Sequence, residues 1–222
     1  MSYRLMYTLA GASIGLLFGS SIHAAALAPG GFITPLPGSS VALEPQLAGP
    51  IVEDVVRTVE GTFTSSGNPF KVEIEDRVVH SVDGTYDFYY RITLITKPDV
   101  YPLVVSRDGF SGFTTNVGWR TDGLGVVEPA DAFRTADGDV VSFSWGFGDV
   151  PQGSQTRFFY VDTNATAYAE IATGRIDLSP SFSENGYATF STFAPAIPEP
   201  ETYAMLLTGL FFICFVAHRR KG

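Results

Sequence analysis

The stretch YDFYYRITLIT, residues 86–96, sets Tyr86, Phe88, Tyr90, Ile92 and Leu94 at every second position, with Asp87, Tyr89, Arg91 and Thr93 between them. Strict alternation marks a half-buried β-strand, because successive side chains leave a strand on opposite faces. On either side of it lie further short runs rich in β-branched and aromatic residues: Phe70 to Glu75, Val78 to Val82, Val100 to Ser106, Thr114 to Arg120, Phe133 to Ala136, Asp139 to Phe147, Thr156 to Asp162, Ala165 to Ala172 and Tyr187 to Phe193. Such runs at short spacing predict an all-β fold, an antiparallel β-sandwich of jelly-roll-like kind over residues 57–195. Nothing of helical period stands out within that span.

Turn chemistry agrees with the strand pattern. Asp83-Gly84, Asp108-Gly109, Asp122-Gly123, Asp137-Gly138 and Asn185-Gly186 punctuate the runs. Glycine, aspartate and asparagine tolerate the positive φ that tight hairpins need. The strongest hairpin candidates are Val78 to Val82 with Thr85 to Thr96 across Asp83-Gly84, and Phe133 to Ala136 with Asp139 to Phe147 across Asp137-Gly138.

The chain has 222 residues, is 45% apolar and 14% aromatic, and carries a formal charge of −9. Residues 27–197 hold 10 basic and 21 acidic side chains, a charge of −11. So acidic a body is repelled by phosphate backbones, which argues against nucleic-acid binding. His80 is the lone histidine of this span and cysteine is absent from it, the single Cys214 lying near the C-terminus. Disulfides, cysteine-rich zinc sites and multi-histidine metal sites are therefore excluded from it, and no cofactor or metal set is expected.

Both ends are apolar and read as targeting segments. Residues 1–26 have Arg4, an apolar run from Leu5 to Phe18 and then Ala24, Ala25, Ala26, Leu27 and Ala28, the layout of a secretory signal helix cut after Ala26 or after Ala28. Residues 27–56, with Pro29, Pro35, Pro37, Pro45 and Pro50, read as an extended Pro/Gly-rich leader ending in an edge strand. Residues 196–222 contain Pro198-Glu199-Pro200, an apolar run from Tyr203 to Ala217, and the basic Arg219, Arg220 and Lys221. A helix over residues 202–217 would be about 24 Å long, somewhat short of a ~30 Å hydrocarbon core, and the basic flank would stay cytoplasmic.

This tail resembles the PEP-CTERM sorting signal, in which a Pro-Glu-Pro motif, a transmembrane helix and a basic tail are recognised by exosortase, a membrane enzyme of Gram-negative bacteria. FSGFTTNVGWRTDG at residues 110–123 and VSFSWG at residues 141–146 resemble segments recurring in one uncharacterised group of such proteins. The resemblance implies processing by signal peptidase and exosortase, transient anchoring in the inner membrane on its periplasmic side, and delivery to the cell surface or matrix alongside exopolysaccharide.

Catalytic patterns are weak. Gly109-Phe110-Ser111-Gly112-Phe113 approaches a hydrolase nucleophile elbow, but Phe113 replaces the last glycine and no helix pattern follows. Asp122, Asp131, Asp137, Asp139 and Asp149 lack the spacing of a calcium loop and read as turn residues. Asn164-Ala165-Thr166 fits a glycosylation acceptor by accident of composition. Of the aromatics Tyr89, Trp119, Trp145 and Tyr168, Trp145 alternates with Phe143 and reads as core, while Trp119, between Gly118 and Arg120, is the candidate glycan contact. The expectation is a non-enzymatic envelope or matrix protein with a structural or binding role. The alternatives are a carbohydrate-binding module for exopolysaccharide and, behind it, a glycoside hydrolase using two carboxylates.

Overall fold

The computed structural model describes residues 23–94, 101–146, 150, 153–181, 184–197 and 208. The signal segment before His23, the Pro198-Glu199-Pro200 motif, all but one residue of the apolar run, Arg219, Arg220, Lys221 and Asp149 lie outside them. Among the described residues no helix is long and apolar enough to cross a membrane.

The protein is all-β, built of two sheets whose strands pair antiparallel with one short exception. In chain order the strands are β1 (Ala25–Ala26), β2 (Phe32–Ile33), β3 (Gly38–Ser39), β4 (Ile51–Thr62), β5 (Pro69–His80), β6 (Tyr86–Leu94) and β7 (Tyr101–Arg107). They continue with β8 (Thr115–Arg120), β9 (Asp131–Arg134), β10 (Val141–Ser144), β11 (Phe159–Thr163), β12 (Tyr168–Ser181) and β13 (Glu184–Pro195). A single 3₁₀ turn, Pro45–Leu47, separates β3 from β4. One sheet runs β1-β8-β11-β6-β5-β4, with β3 added parallel to β8; the other runs β13-β12-β7-β10-β9-β2. Their facing sides form one core, in which Ile74, Phe88, Val117, Phe159, Val105, Phe143, Ile176 and Leu178 are buried.

Both expected hairpins are present. β5 pairs with β6 across Asp83-Gly84, and β9 with β10 across Asp137-Gly138. Gly84 and Gly138 have φ of 89° and 75°, the left-handed region that favours glycine. Asn185-Gly186 lies instead inside β13, where Gly186 packs against the Phe63 and Phe70 rings.

Three features depart from the sequence reading. The runs Phe70 to Glu75 and Val78 to Val82 are one strand, because Asp76 between them is taken into the core rather than ending it. Asp76 accepts hydrogen bonds from Arg107 of the opposite sheet at 3.2 Å, from Arg57 at 3.4 Å and from the Thr192 hydroxyl at 2.7 Å. The Arg107 guanidinium also donates to the Phe193 carbonyl and stacks 3.2 Å from the Tyr90 ring centroid. Burial pulls its pKa down to about 10 against the opposing effect of Asp76.

Second, the leader is part of the domain. β1 pairs with β8, β2 with β9, and β3 runs beside β8. Leu27, Leu36 and Leu47 are buried, and β4 is the edge strand expected at the leader's end. Third, the second face of β6 is also buried over part of its length: Asp87 and Tyr89, expected to face solvent, are buried, Tyr89 against Leu47 of the leader.

Arg134 shows how the leader is held. Its guanidinium donates to the carbonyls of Leu27, Phe110, Phe113 and Gly138 and to the Thr115 hydroxyl, tying four chain segments through one side chain. Burial lowers its pKa, and Asp139 opposes that shift.

Removing one partner of a buried ion pair strands the other, at a cost of about 3–5 kcal/mol. Asp76→Ala is therefore expected to lower the denaturant midpoint by that amount at unchanged slope. Asp76→Leu combined with Arg107→Met is expected to lose less than the sum of the two single changes, measured as a double-mutant cycle.

Candidate functional site

The outer face of the β1–β4 sheet carries the candidate site. Cross-strand register sets its rows: Arg77 of β5 opposite Tyr89 of β6, Tyr89 opposite Tyr160 of β11, and Asp87 of β6 opposite Asp162 of β11. The leader closes over part of this face, seating Leu47 and Ala24 on Val79, Tyr89, Phe158 and Tyr160. Full burial of a leucine such as Leu47 stabilises by about 1.5–3 kcal/mol, which offsets the ordering entropy of about one or two residues.

Where the leader turns away, it leaves a groove of about 520 Å³. Leu47, Ile51 and Leu124 make an apolar side; Arg77, Arg120 and Asp122 make a polar one, with Tyr89 and Phe158 in the floor. Arg120 grips Asp122 through two hydrogen bonds of 2.7 and 3.0 Å, and its guanidinium holds the Asp122 carboxyl below its usual range. Asp122 also accepts the Val41 amide at 3.1 Å, which fixes the leader to the groove wall. Arg77 donates to Asp54 and Glu75 and lies 4.5 Å from the Phe158 centroid, where Arg91 also lies at 4.7 Å. The groove thus presents rigid, already paired guanidinium groups beside an apolar wall. Such a surface suits a neutral polar chain better than a free anion.

The same sheet holds a buried carboxyl pair, at cross-strand positions of β6 and β11. Asp87 is 0% and Asp162 8% exposed. Asp162 accepts the Asn116 amide at 3.0 Å, while neither oxygen of Asp87 has a fixed partner. Burial and the neighbouring Asp162 push the Asp87 carboxyl up to about 9, and burial raises Asp162 as well. Two carboxyls held side by side away from water retain a proton at neutral pH. The phenols of Tyr89 and Tyr160 are likewise driven upward by burial.

The structure separates residues that the sequence grouped together. Trp119 faces the other way from its neighbour Arg120, as alternation on β8 requires. It is half-buried, packs against the main core and Gly38, donates its indole N–H to the Leu36 carbonyl at 3.0 Å, and has Arg157 5.3 Å from its ring centroid. The groove side of β8 belongs to Arg120. Trp145 is core, at 4% exposed. Tyr168 donates to Glu53 and packs on Tyr86 and Phe193.

Ser111 lies exposed in the turn before β8, a strand rather than a helix, and His80 stacks on Tyr86 at the end of β5. Asp131 accepts from the Ser144 hydroxyl across the β9–β10 pair, Asp137 from the Asp139 amide within its turn, and Asp139 from the Gly109 amide. Among the described residues no group of three or more histidine, cysteine, aspartate or glutamate side chains is placed to hold a metal ion. Among the described residues Asp122 is the only carboxylate lining the groove, and neither Asp87 nor Asp162 lines it.

Sequence reasoning missed the groove and the carboxyl pair. The signal that the leader docks was its large apolar residues, Leu27, Leu36 and Leu47 among them, set in a Pro-rich segment. The signal for the pair was an aspartate set among aromatics in both TYDFYY and FYVDTN. Comparison with protein-family models, with curated proteins and with solved structures found no match.

The Asp87 shift has a definite sign. Its carboxyl binds a proton more tightly folded than unfolded, with about 9 against an ordinary 3.8, so its stabilising contribution is complete below pH 3.8 and is lost as pH rises toward 9. Asp87→Asn is expected to raise stability at pH 8 by roughly 1–3 kcal/mol, about 2–4 °C in Tm per kcal/mol, and to leave it nearly unchanged at pH 4. Thermal unfolding across that range measures the difference.

Proposed function

We propose that this chain is an exported cell-envelope or extracellular-matrix protein, sorted by exosortase through its C-terminal signal, with a binding or structural role rather than a catalytic one. The observation that carries the reading is the order Pro198-Glu199-Pro200, apolar run, then Arg219-Arg220-Lys221 at the end of a chain whose N-terminus has the layout of a secretory signal. An acidic body that folds without cysteine fits that route, since its stability is independent of the redox state of the compartment. From β4 onward the chain crosses between the sheets from β6 to β7, β7 to β8, β8 to β9, β10 to β11 and β11 to β12, the alternation that supports a jelly-roll-like winding. On this reading a signal helix and a transmembrane helix flank the domain before processing.

The second reading, recognition of exopolysaccharide, is favoured by the groove. Its pairing of an apolar wall with fixed guanidinium and carboxylate groups matches a sugar chain, which offers C–H faces and hydroxyls together. In this reading Arg120 and Leu124 make the contacts first sought at Trp119.

Mass spectrometry of the protein from the envelope or matrix fraction of its host is expected to find a polypeptide lacking the stretch from Tyr203 to Gly222. An intact C-terminus in that fraction overturns the sorting reading. For the second reading, Leu124→Ser with Arg120→Ala is expected to weaken retention on the host's exopolysaccharide at least about fivefold, close to 1 kcal/mol. Ile171→Ser, on an exposed position of the other sheet, is expected to leave retention unchanged.

A further inference from the structure

Glu44 is 2% exposed, and three groups serve its carboxylate. Its Oε1 accepts the Ala24 amide at 2.6 Å and lies 3.3 Å from Nδ1 of His23; its Oε2 accepts the Tyr160 hydroxyl at 3.2 Å. A carboxylate taken out of water is costly unless a cation or enough hydrogen bonds accompany it. Among the described residues the one ionisable cation paired with Glu44 is His23.

The alanines that follow His23 carry further contacts. Ala24 packs on the apolar surface formed by Val79, Tyr89, Phe158 and Tyr160. Ala25 and Ala26 form β1, in register with Val117 and Asn116, and cover that part of the β8 edge. Leu27 is 1% exposed; its amide donates to the Thr115 carbonyl at 2.9 Å, and its carbonyl accepts from Arg134 and from the Thr115 hydroxyl. Every signal cut within this stretch removes some of these contacts. A cut after Ala24 takes both the amide and the imidazole from Glu44, leaving the Tyr160 hydroxyl as its partner among the described residues. A cut after Ala26 takes β1 as well and opens a strand edge that can pair with other chains. A cut after Ala28 also takes Leu27.

Upstream of His23 the sequence supplies small residues at the spacing a signal cut requires, Gly19 and Ser21, directly after the apolar run ends at Phe18. A cut there leaves all of these contacts in the exported chain. We propose that the exported chain is cut at the Ser21–Ile22 bond, and that the retained residues 23–26 keep Glu44 paired and β8 covered in the mature protein. The inference rests on the export reading above. Hydrolysis adds one water across the amide: Ser21 departs with the signal segment as a carboxylate, and the Ile22 nitrogen takes up a proton as the new α-ammonium group. Ala24-Ala25-Ala26 is then part of the fold, not a recognition sequence for the protease.

N-terminal sequencing and intact mass of the protein exported by a Gram-negative host are expected to give a chain starting at Ile22. A start at Ala25, Leu27 or Pro29 overturns this inference and leaves the export reading standing, whereas a retained Met1 overturns both. Substitutions in the precursor locate the cut independently. A signal cut needs a small residue before the bond, so Ser21→Leu is expected to lower the fraction cut there at least about fivefold. Ala26→Leu, at an exposed position of β1, is expected to keep the start at Ile22. A Ser21→Leu chain cut as before, or an Ala26→Leu chain that keeps its signal, overturns the inference. Deleting residues 22–26 behind the same signal tests what they do after export, and is expected to lower Tm by at least about 5 °C. That loss is expected to shrink at least about twofold when both chains carry Glu44→Gln, whose neutral amide needs no cation. An equal loss in the two backgrounds overturns the pairing role assigned to residues 23–26, even with the N-terminus at Ile22.

Discussion

The outer face of the β1–β4 sheet cannot be left to solvent, and the rest of the structure follows from that constraint. Tyr89, Tyr160, Phe158 and Val79 form an apolar surface on the side of the sheet away from the main core, and the leader is what covers it. A sandwich normally ends at the outer faces of its sheets, which are polar. Here there is a third layer, irregular and rich in proline, whose backbone polar groups are satisfied locally: by β8 for residues 25–27 and 37–39, by Ala130 for Leu36, and by the β5–β6 turn for Ala48 and Pro50. The groove exists because this layer is narrower than the sheet it covers. Its polar wall is placed by the same contact, since Asp122 binds the leader amide of Val41 and Arg120 together.

Buried ionisable groups are handled in different ways, as three cases among the described residues show. Asp76 and Arg107 bind the two sheets as a pair, each supplying what the other needs. Among the described residues Arg134 has no carboxylate against its guanidinium and relies on four carbonyl oxygens from three places, the leader, the turn at residues 110–113 and the Asp137-Gly138 turn, so its position reports whether those segments are assembled. Asp87 has neither, and resolves its burial by keeping a proton with Asp162. The first two arrangements define a unique packing, because an orphaned guanidinium would cost more than the contacts it makes. The third adds no directional bond of comparable strength, and is the place where the fold tolerates a cost instead of recovering it.

How much of this was legible follows from what each signal measures. Alternation in residues 86–96 and the Asp83-Gly84 and Asp137-Gly138 turns are local properties, and the strands and hairpins they announced are present. Asp76 broke a run because a lone aspartate in a strand is read as exposed; its partners lie 31 residues away on Arg107 and 116 away on Thr192, beyond any local pattern. Alternation also cannot say whether the second face of a strand meets water or a covering layer, so Asp87 and Tyr89 were assigned to solvent. Trp119 was misplaced for the converse reason: its polar neighbours suggested surface, but β8 has leader on one side and core on the other. The groove depends on where a proline-rich segment docks, which composition leaves open between linker and cover.

The leader's role also fixes the order in which the fold can close. Its contacts are among the most distant in the chain: Leu27 with Thr115 and Arg134 across 88 and 107 residues, Glu44 with Tyr160 across 116. A chain emerging from its N-terminus delivers the leader well before its partners β8, β9 and β11, so the cover stays unfinished until those strands are available. Long loops must close before those contacts return any free energy, which makes this the slow part of an already non-local topology. Until then the apolar outer face is open, and the net acidity of the body limits association through it. A segment that looks like a passive spacer in sequence is therefore the element that decides whether this sheet is finished.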